Sequence, residues 1–448
     1  MSNLFGINGV RGVVNETLTS DVALKLGRAI GRYYDGNVAV ATDTRISADM
    51  IKNAVMAGLL AEGCDVFDLG IVPVPALQYF VKMHDDVLGG VMITASHNTA
   101  EYNGVKCISS TGDEVGDAGK KKIEENYDSD MPSHANRIGT VTQILRAGEE
   151  YVNGILEHVK VNDIKRAKLR VVVDCANGAT SFTTPALLQR LGVYTVTLNA
   201  NPQGEFPGRP SEPTEENLSD VIALIKTAGA DLGVAHDLDG DRVSFISNKG
   251  KFIEGDEALA IMAKYILGRK KGAVVTTVSA SSVVEDVVKE NGGVLICTAV
   301  GSPIVAKRMR EEGAVFGGEE SGGMIFPEFQ YCRDPALALA RMLECILKNG
   351  PIQDQVDKLP VYYMEKRDVF CPEDKKEALM EHILNKCEGE TIDTSDGIKV
   401  FYEDGWVLAR PSGTENKFRI FSESTNHRKA TSRANEFEKY ALGFLFSI

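Results

Sequence analysis

The chain has 448 residues, of which 43% are hydrophobic and 25% are charged. This is enough for about three domains of ordinary size, and it excludes a disordered chain and a small disulfide scaffold. Lys and Arg number 49 against 63 Asp and Glu, so the formal net charge is −14. Such an acidic chain is a poor binder of nucleic acid or of an anionic membrane, and we expect neither as a partner. A small anionic ligand is still allowed, because a local cluster of cations can hold it.

The beginning of the chain and its cysteines predict a cytoplasmic protein. The first residues lack a basic segment followed by an apolar one, and no stretch approaches the ~20 apolar residues of a membrane helix. The eight cysteines are scattered and form no C-x-x-C pair. This argues against a thiolate zinc site and favours reduced thiols.

In the first third of the chain, short β-branched runs alternate with helical patterns. The predicted elements are a strand at 38–42, a helix at 47–64 with Ser47 as its N-cap, a strand at 66–69, a helix at 76–83 and a strand at 91–94. This alternation predicts parallel strands covered by helices.

The same rhythm restarts twice. The second unit has predicted strands at 169–174, 194–196 and 232–235 and helices at 185–191 and 215–228, with a polar loop at 203–213; the third has helices at 257–267, 282–290 and 303–311 and strands at 274–278 and 294–296. After Pro360 the pattern changes to short strands and a final helix. We therefore predict an α/β protein of three similar mixed-sheet domains, 1–148, 149–248 and 249–355, followed by an α+β domain at 356–448.

The strongest local signal is Asp237-Leu238-Asp239-Gly240-Asp241-Arg242, directly after an apolar strand. Carboxylates at i, i+2 and i+4 of an extended segment point to one side. Three anions so placed repel one another, and a hard divalent cation such as Mg²⁺ relieves the repulsion. An EF-hand fits poorly, since Gly240 falls at loop position 4. The alternative is a polar turn without a metal.

A hydroxyl follows another strand, in Thr94-Ala95-Ser96-His97-Asn98. Ligands of open α/β sheets bind at the carboxyl ends of strands, where a serine can act as a nucleophile or carry a phosphoryl group. The alternative is a turn that caps its own backbone. Two cations, Lys106 in the next turn and Arg11 in a glycine-rich loop, are weak signals when each is taken alone.

Two further loops carry groups suited to a sugar phosphate. In the segment 316–323, four glycines surround Glu319 and Ser321, which could bond sugar hydroxyls, although a plain glycine-rich connector fits equally well. In the segment 410–416, Arg-Pro-Ser-Gly-Thr-Glu-Asn offers a guanidinium, two hydroxyls and free N–H groups, which suits a phosphate; the alternative is a β-turn.

Taken together and in this order, the motifs resemble the α-D-phosphohexomutase superfamily over the whole chain, and most closely the archaeal-type phosphoglucosamine mutases and phosphomannomutase/phosphoglucomutases. The resemblance implies three similar domains and a fourth around a central active-site cleft. It implies an intramolecular phosphotransferase that interconverts hexose 6-phosphate and hexose 1-phosphate through a phosphoserine and a hexose 1,6-bisphosphate, with glucosamine phosphate as the first choice of substrate and mannose or glucose phosphate as the alternative. It also implies one Mg²⁺ per chain and a monomer or homodimer.

The resemblance also implies a role for each motif residue. Ser96 would be the phosphoserine and, with Asp237, Asp239 and Asp241, a ligand of Mg²⁺. Lys106, Arg11 and His97 would be its acid/base and charge partners. The substrate-binding residues would be Arg242, Glu319, Ser321, Arg410, Ser412, Gly413, Thr414 and Arg419, of which the last five would hold the phosphate that does not react.

Two departures from the family pattern leave the sugar open. Gly323 stands where many bacterial relatives have a histidine, and Ala299 stands where many relatives have a basic residue.

The sequence also allows two other interpretations of the function. Asp237-Leu238-Asp239-Gly240 matches the start of the haloacid-dehalogenase pattern, in which Asp237 would be the nucleophile, although Asp241 replaces its Thr. A non-catalytic binder of sugar phosphates is the other.

Overall fold

The computed structural model describes residues 4–6, 9–129, 136–413 and 416–446. By its contacts the chain divides into two compact units. The first comprises Met1–Ala258 and Ser321–Asp357, and the second comprises Leu259–Glu320 and Lys358–Ile448. Among the described residues, no helix combines the length and the apolar composition that crossing a membrane requires.

The first unit begins with a six-stranded sheet. Its elements are β1 (Val10–Val13), α1 (Ser20–Tyr34), β2 (Asn37–Thr42), α2 (Ala48–Ala61), β3 (Val66–Ile71), α3 (Val74–Met83), β4 (Val87–Ile93), β5 (Tyr102–Ser109), α4 (Asp117–Asp128) and β6 (Val141–Gln143). The strand order is β1-β5-β4-β2-β3-β6. Strands β2, β3, β4 and β6 are parallel, whereas β5 runs antiparallel to both β4 and β1. The sheet is therefore mixed, as predicted for the domain.

Apolar side chains of this sheet and of α1 and α2 form one core, which includes Leu26, Ile30, Val40, Ile51 and Val91. The predicted helix at 47–64 is shorter than expected, since α2 ends at Ala61. The Ser47 side chain does not cap it; instead its Oγ accepts a hydrogen bond of 2.9 Å from the Asn103 side chain.

The first unit continues with a five-stranded sheet. Its elements are α5 (Ala147–His158), α6 (Val161–Ala167), β7 (Arg170–Asp174), α7 (Thr184–Arg190), β8 (Tyr194–Leu198), α8 (Ser219–Ala228), β9 (Leu232–His236), β10 (Val243–Ser247), β11 (Phe252–Ile253) and α9 (Gly255–Leu267), the last of which contains the boundary between the units. The strand order is β11-β10-β9-β7-β8. Strand β7 is parallel to β8 and β9, and β10 returns antiparallel to β9. The predicted helix at 215–228 begins only at Ser219, after a 3-10 turn.

The next segment contributes to both units. Its elements are β12 (Ala273–Thr277), α10 (Ser282–Glu290), β13 (Val294–Thr298), α11 (Ser302–Glu312), β14 (Phe316–Glu319), β15 (Gly323–Phe326), β16 (Gln330–Arg333), α12 (Pro335–Asn349) and α13 (Ile352–Val356). In the second unit, β12 is parallel to β13 and to β14. In the first unit, β15 and β16 form an antiparallel hairpin, which ends at Arg333.

The C-terminal part of the second unit is a different, wholly antiparallel sheet. Its elements are β17 (Tyr363–Phe370), α14 (Lys376–Lys386), β18 (Thr391–Asp393), β19 (Ile398–Tyr402), β20 (Gly405–Pro411), β21 (Lys417–Ser424) and α15 (His427–Leu445). The strand order is β17-β21-β20-β19-β18. Phe418, Ile420 and Phe437 are buried between this sheet and the helices. The predicted change to an α+β build is confirmed.

Candidate active site

The Ser96 loop (Thr94–Asn98) follows β4 at the carboxyl end of the parallel strands. Ser96 is 1% exposed and has a φ of 51°, a left-handed conformation that non-glycine residues rarely adopt. Its N–H donates to Thr94 Oγ1 at 2.8 Å, and that hydroxyl in turn donates to Asp43 Oδ2 at 2.6 Å. Ser96 Oγ lies 3.3 Å from Asp237 Oδ2. The loop thus holds the hydroxyl in a strained, fixed position beside the aspartates.

Arg45 fixes the same loop, and no sequence motif indicated it. The Arg45 residue is 2% exposed, and its Nε lies 3.1 Å from Asp43 Oδ2. Its two terminal nitrogens donate at 2.6–2.9 Å to the carbonyl oxygens of Ser96, Asn98, Thr99 and Tyr102. Its place at the carboxyl end of β2, two residues after a buried aspartate, is the signal that could have found it.

Asp237, Asp239 and Asp241 lie in the turn between β9 and β10, and a ligand oxygen of each lies within 4.8 Å of the others. The predicted cluster is confirmed, but the extended segment was wrong, because the residues form a tight turn. Gly240 has a φ of 68°, which glycine adopts without strain. Asp237 Oδ1 accepts hydrogen bonds of 3.1 Å from the N–H groups of Asp241 and Arg242, which closes the turn.

Lys106 lies on β5 and reaches this cluster. Its Nζ is 2.7 Å from Asp239 Oδ2 and 3.1 Å from Asp241 Oδ2, and the side chain is only 2% exposed. Burial opposes the charge of Lys106, but the two carboxylates outweigh it and raise the pKa of the ammonium. Two residues earlier on the strand, a Cβ on Gly104 would lie 2.4 Å from Val10 O, so a glycine there allows β5 to pack closely on β1.

The three carboxyl groups differ in their pKa. Burial, together with Asp239 and Asp241, raises the pKa of Asp237 well above its ordinary value. Burial acts in the same direction on Asp241, but Arg333, Lys106 and Arg242 outweigh it and lower the pKa of that carboxyl. Arg333 Nη2 lies 2.5 Å from Asp241 Oδ2. Arg333 was missed, because it lies 92 positions further along the chain in a hairpin without a motif.

The residues present fit a hard divalent cation. Among the described residues, Asp239 Oδ1 and Asp241 Oδ1 are buried and meet no hydrogen-bond donor. Buried carboxylate oxygens are costly without a partner, and an all-oxygen donor set suits Mg²⁺. Asp237 Oδ2, Asp239 and Asp241 together with the Ser96 side chain could therefore hold such an ion.

Three more of the predicted residues lie close to this cluster. Arg11 Nη1 donates to Asn98 Oδ1 at 2.8 Å, and burial lowers the pKa of its guanidinium despite the nearby Asp239. Burial, with Arg242 and Arg11, lowers the pKa of His97 to about 3, so the ring is neutral near pH 7. Arg242 Nη1 lies 3.3 Å from Glu212 Oε1.

The remaining predicted residues divide between the units. Ser321 is exposed and belongs to the first unit. In the second unit, Glu319 is 6% exposed, and its Oε1 accepts a hydrogen bond of 3.0 Å from Gly301 N. Arg410 and Arg419 are cross-strand partners on β20 and β21.

The predicted phosphate loop follows Arg410. Ser412 N donates to Lys417 O at 2.9 Å, and Lys376 Nζ donates to Ser412 O at 2.6 Å. Gly413 continues the loop. Thr414 lies outside the described residues.

A fixed hydroxyl beside three clustered carboxylates and buried cations, on an α/β scaffold, suits a phosphoryl-transfer enzyme, in which positioning and charge neutralisation supply most of the catalysis. The comparisons with known proteins make this class specific. Four family models described as phosphoglucomutase/phosphomannomutase match the chain. They are α/β/α domain I at residues 2–133, α/β/α domain II at 149–250, α/β/α domain III at 254–363 and the C-terminal domain at 368–439.

Relatives and solved structures agree with these matches. The chain is 42% identical to a probable phosphoglucosamine mutase of Methanopyrus kandleri over 98% of this chain and 97% of that one, and 42% identical to a phosphoglucomutase/phosphomannomutase of Thermococcus kodakarensis over 96% of each. It superposes with a TM-score of 0.87 on a phosphoglucomutase/phosphomannomutase family protein of Burkholderia thailandensis, at 29% identity, over 98% of this chain and 96% of that one. The chain belongs to the phosphoglucomutase/phosphomannomutase family, and it is a phosphohexomutase, an enzyme of the isomerase class.

Proposed function

We propose that the enzyme interconverts glucosamine 6-phosphate and glucosamine 1-phosphate through a phosphoryl group carried on Ser96 and a glucosamine 1,6-bisphosphate intermediate. The observation that carries the proposal is the position of Ser96 Oγ, buried 3.3 Å from Asp237 in a left-handed loop. Mannose and glucose phosphates are the alternative substrates, since a relative of equal identity is named phosphoglucomutase/phosphomannomutase.

In the proposed cycle, the phosphoryl group on Ser96 passes to the free hydroxyl of the sugar phosphate. The bisphosphate then turns round, and its other phosphoryl group returns to Ser96. Such a transfer needs positioning and charge neutralisation more than covalent chemistry. The left-handed conformation of Ser96 and the contacts of Arg45 supply the positioning.

The cations beside Ser96 supply the neutralisation. A phosphate monoester carries about −1.5 to −2 charges at pH 7. Arg11 and Arg242 bear fixed positive charges. Lys106 is an ammonium, because burial is outweighed by Asp239 and Asp241, which raise its pKa. It gives a proton to Ser96 Oγ as the bond from that oxygen to phosphorus breaks, and it regains a proton from the sugar hydroxyl that forms the new bond. Ser96, Asp237, Asp239 and Asp241 would hold one Mg²⁺ per chain, which would supply further neutralisation of the charge on the transferring group.

The other loops bind the rest of the substrate in this proposal. Glu319 and Ser321 bond sugar hydroxyls, and the phosphate that does not react lies against Arg410, Ser412, Gly413, Thr414 and Arg419. His97 lies beside the phosphoserine as a neutral ring rather than as a cation. Each motif thereby belongs to one of the four domains proposed from the sequence, 1–148, 149–248, 249–355 and 356–448.

Further parts of the proposal concern the setting of the enzyme. We infer a cytoplasmic location, which the eight free cysteines support, because reducing compartments keep thiols unpaired. We infer a phosphosugar as the partner, no nucleic acid or membrane, and a monomer or homodimer.

A side-by-side comparison of rates tests the proposal. The wild type, with Mg²⁺ and a trace of the matching hexose 1,6-bisphosphate, is assayed on glucosamine, mannose and glucose 1-phosphates. We expect the highest kcat/KM on glucosamine 1-phosphate. Ser96→Ala should remove nearly all turnover, whereas Ser110→Ala, an exposed serine outside the loop, should retain it. Full activity of Ser96→Ala would overturn the phosphoserine, and a higher kcat/KM on another sugar would overturn the preference.

A further inference from the structure

The turn between β18 and β19 places the carboxylate of Asp396 beside the guanidinium of Arg410. Gly397 follows it with a φ of 93°. A Cβ at Gly397 would lie 2.6 Å from both Ala409 O and Arg410 Cβ. Only a glycine therefore allows the turn to pack this closely on β20.

Asp396 forms an ion pair with one terminal nitrogen of the Arg410 guanidinium. Arg410 Nη2 lies 3.0 Å from Asp396 Oδ2 and 3.3 Å from Oδ1, and Arg410 is 7% exposed. The buried Nε of Arg410 meets no acceptor within the described part of the chain. The ion pair thus fixes the plane of the guanidinium through Nη2, and it leaves other N–H donors for an anion.

The same carboxylate is also tied to the backbone that holds Glu319. Asp396 Oδ2 accepts a hydrogen bond of 2.8 Å from Val300 N, and the next N–H along the chain, that of Gly301, donates to Glu319 Oε1 at 3.0 Å. Both N–H groups lie at the N-terminal end of α11, where carboxylates are favoured. Two adjacent peptide groups therefore connect Arg410 to Glu319 through Asp396.

We propose that Asp396 is a positioning residue of the mutase: it orients Arg410 for the phosphate that does not react and fixes that arginine to the Val300–Gly301 backbone, which holds the sugar-binding Glu319. This inference rests on the proposed function, because the roles of Arg410 and Glu319 belong to it. The enzyme binds the non-reacting phosphate equally well in the ground state and in the transition state. Loss of this orientation therefore raises KM and leaves kcat nearly unchanged.

The test compares Asp396→Asn with Asp393→Asn in the full-length enzyme. Asp393 belongs to the same turn region, and its carboxylate accepts a 2.8 Å hydrogen bond from Ser395 N; among the described residues it forms no hydrogen bond or ion pair with Arg410. With glucosamine 1-phosphate and Mg²⁺, we expect Asp396→Asn to raise KM about tenfold, the effect of weakening one charge-assisted hydrogen bond, with kcat within about twofold. Asp393→Asn should keep both constants within about twofold of the wild type.

A double-variant cycle shows whether Asp396 acts through Arg410. The KM of Arg410→Lys combined with Asp396→Asn should equal that of Arg410→Lys alone, because the guanidinium that Asp396 orients is then absent. Effects that multiply, or an unchanged KM in Asp396→Asn, would overturn the inference while the active wild type upholds the proposed function. A wild type that turns over no hexose phosphate would overturn the proposed function and this inference with it.

Discussion

Replacing Arg45 by lysine should loosen the Ser96 loop and lower both stability and turnover. Arg45 uses Nε for Asp43 and its two terminal nitrogens for four carbonyl oxygens of residues 96–102. A lysine ammonium has only three N–H donors, so a lysine that keeps Asp43 reaches at most two of these carbonyls. At least two carbonyls then lose a charged donor.

The expected loss of stability follows from this count. At about 1.5 kcal/mol for each hydrogen bond to a charged group, two lost bonds destabilise the protein by about 3 kcal/mol. For a domain of about 150–250 residues, this lowers the melting temperature by roughly 6–12 °C. Turnover should fall at least about tenfold, because the backbone of Ser96 is no longer held in the left-handed conformation that positions its Oγ.

The assay is a thermal melt with a kcat measurement on Arg45→Lys, with Arg137→Lys as its control. Arg137 also pairs with an aspartate, Asp65 at 2.9 Å, but its side chain is 58% exposed. We expect Arg137→Lys to shift the melting temperature by no more than about 2 °C, since exposed ion pairs contribute little. If Arg45→Lys melts and turns over like Arg137→Lys, then Arg45 does not fix the loop and the reasoning is refuted.

Two further predictions concern the aspartate cluster. Chelation with EDTA should abolish turnover, and Mg²⁺ at 100 times its dissociation constant should restore it and stabilise the protein by about 2.7 kcal/mol; an equal melting temperature with and without Mg²⁺ would argue against a resident ion. Lys106→Met should lower the melting temperature more in EDTA than in Mg²⁺, because Asp239 and Asp241 lose their ammonium partner and only a cation can replace it. The exposed pair of Lys122 with Glu125 provides the control Lys122→Met, which should shift the melting temperature relative to the wild type by the same small amount in both buffers.

The sequence predicts the parts of this enzyme that depend on local order. The alternation of β-branched runs and helical patterns indicates the α/β build, and three aspartates in five residues indicate the cluster at 237–241. Ser96 is a candidate because it follows an apolar strand, at the edge where such sheets bind ligands, but its assignment as the phosphoserine came from the family resemblance. The predicted extended geometry of the aspartates was wrong, because Gly240, with a φ of 68°, reverses the chain in a turn.

Contacts between distant parts of the chain could not be predicted in this way. Arg333 reaches Asp241 across 92 positions, and Asp396 reaches Val300 across 96. Each is a single charged residue in a hairpin or turn, a pattern that surface residues share. Arg45 is an intermediate case, because its place after β2 could have marked it as a candidate, but its four carbonyl acceptors carry no side-chain signal. Only the folded chain shows which of these charges is buried and paired.

The most direct test of the central claim is to locate the phosphoryl group on the enzyme. The protein is incubated with a hexose 1,6-bisphosphate and Mg²⁺, and its peptides are mapped by mass spectrometry. We predict a phosphoryl group on the peptide that contains Ser96 and its loss when excess hexose 6-phosphate is added. A phosphoryl group on Asp237, with none on Ser96, would contradict the account.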